Sequence, residues 1–141
     1  MSPFQERFFT LAARFPRLRR GGLNRKELED LARRVGRRLG KEVRVRYRPW
    51  PWPASVQPAG GSVTIVVDSD RPPAQRVISL AHEVGHLALG HYALDDFWTD
   101  SEGSQSLLEE MEADLFAAIV LDRHRTPIQY LGGPEQMELL R

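Results

Sequence analysis

Two histidines four residues apart, with a glutamate between them, form the segment most able to do chemistry: His82-Glu83-Val84-Gly85-His86. Its flanks are apolar, Val77-Ile78-Ser79-Leu80-Ala81 before and Leu87-Ala88-Leu89 after. This pattern predicts a buried helix. On a helix, residues four apart lie about 40° apart around the axis, so both imidazoles can face one metal ion. Glu83 projects about 100° from His82, beside such an ion, where a carboxylate can act as general base toward water. Zinc suits this set because it takes nitrogen and oxygen ligands and can keep one position open. On a polar helix the same residues would read as surface histidines with a solvated glutamate. Burying them among these flanks without a partner would cost several kcal/mol, and a metal removes that conflict.

Three protein ligands are the rule for a catalytic zinc site. The extension HExxHxxGxxH is not present, because Gly90 and His91 fall at the wrong offsets. His91 lies five residues past His86, about 140° around a continuing helix. It is expected to end the helix or to support a ligand. A carboxylate from a second helix is the other solution. Residues 106–121 have helical patterning and carry Glu109, Glu110, Glu112 and Asp114. Glu110 and Asp114 are one turn apart and share a face with Ala117 and Leu121. Glu110 is therefore the expected ligand, with Glu109 the alternative. Asp114 is the expected acceptor for the ring N–H of a metal-bound histidine. Glu109 and Glu112 point elsewhere, so their replacement by alanine should be mild. A solvated acidic face is the competing reading, opposed by the apolar run from Ala113 to Leu121 in which Asp114 is embedded.

Three segments together resemble the ImmA/IrrE family of metallopeptidases: Ser62-Val63-Thr64-Ile65-Val66-Val67-Asp68, then Ser79-Leu80-Ala81-His82-Glu83-Val84-Gly85-His86-Leu87, then Glu110-Met111-Glu112-Ala113-Asp114-Leu115-Phe116-Ala117-Ala118. The likeness covers roughly residues 62–122. It implies a gluzincin-like zinc site with His82, His86 and Glu110 as ligands and Glu83 as general base. It also implies a small sheet beside the active-site helix. The family is associated with cleavage of transcriptional repressors in phages, mobile elements and stress responses. The chain departs from the family after Ala118. Where members often continue "LLMP", it reads Ile119-Val120-Leu121-Asp122-Arg123-His124-Arg125-Thr126-Pro127.

At 141 residues the chain has the length of one domain, with 41% apolar and 28% charged residues as in ordinary globular proteins. A single domain over 1–141 is expected, with a basic helix-and-strand front at 1–48 and the zinc-site core at 62–122. No apolar stretch approaches a membrane-spanning length. The N-terminal residues lack the order of a signal peptide, and there is no cysteine for a disulfide or thiolate site. A cytoplasmic location is expected. The net charge of +1 conceals an asymmetry, +10 over residues 1–48 against −9 over 49–141. The basic front is expected either to dock on the acidic half or to meet nucleic acid or an acidic partner, docking being favoured.

Helices are expected at 3–15 and from an Asn24/Glu27 capping box to about Leu39, with Gly40 as C-cap. The alternation of Val43, Val45 and Tyr47 with Arg44, Arg46 and Arg48 predicts a half-buried strand. Residues 49–61, with two tryptophans among prolines, read as a loop whose tryptophans cap the core rather than line a peptide groove. Ser62–Asp68 is a second strand, and Pro72-Pro73 open the metal helix. The acidic stretch 95–104 is a candidate gate. A short final helix follows Thr126.

These observations combine into an α+β zincin-like domain, a small sheet packed on an active-site helix and further helices. The expected function is that of a zinc-dependent endopeptidase. Its expected partner is a protein substrate, a DNA-binding repressor being the one the resemblance suggests. The alternatives are a metal-stabilised regulator that binds a repressor or nucleic acid without proteolysis, and a DNA-binding protein working through its basic front. Tyr92, His124, Arg125 and Tyr130 are candidates for a second oxyanion donor.

Overall fold

Local chemistry sets most helix boundaries. In the computed structural model, which describes residues 1–92 and 107–132, α1 spans Pro3–Arg14 and α2 spans Arg25–Arg38. Both open on a capping box, Ser2 with Gln5 and Asn24 with Glu27. The segment between them contains a 3-10 turn at Pro16–Arg19. Leu18 is buried there, which pins that turn to the core. Strand β1 follows at Glu42–Arg48, and β2 at Ala54–Ala59. Next come β3 at Ser62–Asp68 and α3 at Pro73–Ala88. Helix α4 is Leu107–Leu121, and α5 is Pro127–Leu131.

The sheet has the order β1-β3-β2. β1 runs parallel to β3, and β2 antiparallel to it. The sequence pattern treats 49–61 as loop throughout, and β2 is the correction. Ala54-Ser55-Val56-Gln57-Pro58-Ala59 has little β propensity and contains a proline that cannot donate to a ladder. It forms a strand because it lies on the sheet edge, joined to β3 by the Gly60-Gly61 turn, where Gly60 has φ +62°. Trp50 is half-buried at the sheet edge and is not among the side chains packed on the core. Its indole N–H donates to Ser55 Oγ at 2.8 Å, and the Arg48 guanidinium lies 4.7 Å from its ring centroid. Trp52 stays exposed.

Helices lie against the sheet through side chains that alternate inward: Val43 on β1, Val56 on β2, and Val63, Ile65 and Val67 on β3 are all buried. Gly36 makes the seating of α2 possible. A Cβ there would collide with Val43 and would meet the Lys41 carbonyl at 2.9 Å. The turn from β3 to α3 is tied by Asp68. Its carboxylate accepts the backbone N–H groups of Trp50 and Asp70 and the Arg71 guanidinium at 3.1–3.2 Å. These bonds, the Asp70 amide foremost, hold the Asp68 carboxyl below its ordinary pKa against the opposing effect of burial.

Helix α4 crosses α3 at one close point. A Cβ on Gly85 would meet three Phe116 atoms at 2.9–3.2 Å, so the missing side chain lets the helices approach. Phe8 of α1 packs on Phe116, ring centroids 5.9 Å apart, and Gln5 Nε2 reaches the Leu131 carbonyl at 2.6 Å. α1 thereby reaches α4 and α5. The architecture is α+β, a small three-stranded sheet with helices, as the sequence patterning implies. The proposed gate at 95–104 lies outside the described residues. Among the described residues no helix is long and apolar enough to cross a membrane.

Candidate metal centre

Helix α3 carries His82 and His86 on the side that α4 covers. Their Nε2 atoms stand 3.0 Å apart. Glu110, in the first turn of α4, places Oε2 2.9 Å from His82 Nε2 and Oε1 3.1 Å from His86 Nε2. Among the described residues these three supply the donor cluster that could hold a metal ion, with donor atoms within 4.8 Å of one another. The fit is chemical as well as spatial. At most one proton can sit between two facing imidazole nitrogens, so without a cation at least one lone pair faces another ring. Ligands about 2.0–2.2 Å from a tetrahedral ion stand roughly 3.3–3.6 Å apart, and the facing atoms here, at 2.9–3.1 Å, come within a few tenths of an ångström of that spacing. His86 is 1% exposed. Burial first, and then the neighbouring His82 and His91, lower its pKa to about 3, so its ring is neutral at neutral pH, as a ligand requires.

Asp114, one turn beyond Glu110, reaches the other nitrogen of His82, Oδ1 to Nδ1 at 2.8 Å. Its side chain is nonetheless 75% exposed. The apolar run around Asp114 is thus no guide to its burial, because Asp114 lies on the rim of α4 rather than under it. Glu83 is buried, and the Tyr92 hydroxyl donates to its Oε2 at 3.0 Å. Tyr92 also lies beside the His86 ring, centroids 5.4 Å apart. Of the four oxyanion candidates, Tyr92 alone is placed at this cluster by the contacts seen. Tyr130 donates to Asp122 at 2.7 Å, Arg125 lies over the Tyr130 ring, and His124 bonds Asp122 through its backbone N–H.

Glu112 points away from the metal face, as its helical phase implies, but its surroundings count against a mild effect on substitution. Glu112 does not point away into solvent. It is 8% exposed, its Oε1 lies 2.9 Å from His91 Nε2, and its Oε2 takes the Arg7 guanidinium at 2.9 Å. His91 in turn sets Nδ1 2.9 Å from His86 Nδ1. Helical phase alone does not show the burial of Glu112, because the partners that bury it come from outside the two ligand helices. His91 is placed by Gly90, whose φ of +75° ends α3 and turns the chain back so that the His91 N–H bonds the His86 carbonyl at 2.9 Å. Arg7, in α1, carries no sequence signal for this role.

A helix bearing HExxH, a carboxylate from the following helix and a small sheet alongside define a site of the metallopeptidase class. The chain belongs to the IrrE N-terminal-like domain family, the M78 peptidases, whose family model matches residues 37–126. That span includes the sheet, α3, α4 and every residue of the cluster except Arg7. No curated protein and no solved structure matches the chain.

Proposed function

We propose that this protein is a zinc-dependent endopeptidase. The observation that carries the reading is the convergence of His82, His86 and Glu110 with Glu83 held beside them by Tyr92. In it, His82, His86 and Glu110 hold the ion, and Asp114 orients His82. When bound, zinc supplies Lewis acidity, polarising the scissile carbonyl and lowering the pKa of a water. Glu83 takes a proton from the attacking water and delivers it to the amide nitrogen as the C–N bond breaks. The products are a carboxylate and an amine. Tyr92 fixes the Glu83 carboxylate by donating its single hydroxyl proton to Oε2. The substrate of this reading is a protein, and by family resemblance a DNA-binding repressor.

The test is Glu83→Gln, assayed on a candidate repressor encoded in the same genome that wild type cleaves. The variant should keep its zinc and its fold and lose at least about 100-fold in cleavage, within the range for a general base. Cleavage at the wild-type rate with zinc retained would defeat the mechanism and favour a metal that serves only as a structural staple.

A further inference from the structure

We propose that Arg7, Glu112 and His91 form a positioning chain that locks His86 in its metal-binding tautomer. The proposal rests on the assignment of His86 as a ligand and deepens it. Its starting point is the Arg7 guanidinium, 2.9 Å from Glu112 Oε2, which keeps that carboxylate an acceptor. Glu112 Oε1 therefore needs a donor, and His91 Nε2 at 2.9 Å is the group that faces it. With its proton on Nε2, a neutral His91 presents a bare Nδ1. The group 2.9 Å from that lone pair is His86 Nδ1, which must then carry the second proton. The Nε2 lone pair of His86 is thereby left pointing at His82 and Glu110. For a neutral His91, each step follows from which atoms can donate and which can only accept.

The two ligand histidines are thus oriented differently. His82 meets its carboxylate, Asp114, directly at the exposed rim. His86 meets Glu112 through a second imidazole in the interior, where His91 is 9% and Glu112 8% exposed. A buried chain of this kind has few alternative states, because every polar atom in it needs its partner. Its anchor is also distinct. Arg7 belongs to α1, outside the span shared with the family, and its other nitrogen reaches the Leu89 carbonyl at the end of α3 at 3.4 Å. The N-terminal helix therefore does more than cover the core. It fixes the charge at the far end of the chain.

Two measurements test this on the full-length protein. Long-range proton–nitrogen NMR of the zinc-loaded wild type should show His91 protonated at Nε2 and bare at Nδ1, and His86 protonated at Nδ1. A proton on His91 Nδ1 would overturn the proposal without any mutation. Zinc affinity, measured by competition with a chelating dye, should fall about 10–100-fold in His91→Leu, the usual cost of losing a ligand's supporting partner. His91→Asn keeps an oxygen able to accept from His86 and should recover most of that loss. Cobalt loaded into His91→Leu should show altered ligand-field bands, which simple destabilisation of the fold would not produce. If His91→Leu binds zinc as tightly as wild type while His86→Ala binds none, the chain fails and the ligand assignment stands. If wild type itself binds no zinc, the ligand assignment fails and the chain with it.

Discussion

Two imidazole nitrogens 3.0 Å apart, each about 3 Å from the same carboxylate, make a sharp prediction for single residues. His82→Ala, His86→Ala and Glu110→Ala should each lose the metal when purified protein is assayed by elemental analysis. Glu109→Ala should retain it, because the donor cluster is completed by Glu110. Equal losses at Glu109 and Glu110 would mean the α4 register is wrong. Glu112 now belongs with the sensitive positions, since its loss leaves His91 and Arg7 facing an unpaired buried site. Asp68 offers a pH test away from the metal. Its folded pKa is depressed, so the stability it contributes is present above the unfolded value of about 4 and is lost as pH falls through the lower folded value. Asp68→Asn should therefore lower the urea midpoint at pH 7, and the gap from wild type should narrow on titration into acid. A gap independent of pH would remove the carboxylate from the account.

At the scale of elements, the site depends on how closely α3 and α4 approach. Gly85 sets that distance against the fully buried Phe116 ring. Gly85→Ala would gain about 1 kcal/mol of helix propensity. The added methyl strikes Phe116 near its stem, where the ring cannot swing aside, so overpacking of about 1–3 kcal/mol opposes that gain. We expect lower thermal stability and weaker zinc binding together, since Glu110 rides on α4. Higher stability with unchanged affinity would show that the helices have room to spare. The helices themselves were legible in the sequence: the Asn24/Glu27 box, the Pro73 start and the apolar phase of residues 77–89 each mark one. β2 was not, because its residues form a strand only through the β3 edge they pair with. The partners of Glu112 were missed for a related reason, as helical phase describes one helix and not what packs against it.

For the whole molecule, ion pairs inside the basic front leave its net charge of +10 in place. Among the described residues, Arg17 and Arg34 pair with Asp30, Arg20 with Glu27 and Arg44 with Glu42, while Arg7 crosses to the acidic half. A ligand that binds only the folded state stabilises it by about 2.7 kcal/mol at a hundredfold excess over Kd. Zinc at that level should raise Tm by roughly 6–11 °C for a chain of this size, and a chelator should reverse the shift in a thermal scan. An unchanged Tm would count against a site shared by α3 and α4. The sequence by itself determined the HExxH helix, the carboxylate helix and the family, because spacing along one helix is a local property that backbone geometry enforces. Only the tertiary structure decided that β2 is a strand, that Asp114 sits at a rim, and that Glu112, His91 and Arg7 meet behind His86. Those facts depend on which surfaces touch, and α1, the turn after α3 and α4 bring Arg7, His91 and Glu112 together from positions 7, 91 and 112, where no periodicity links them.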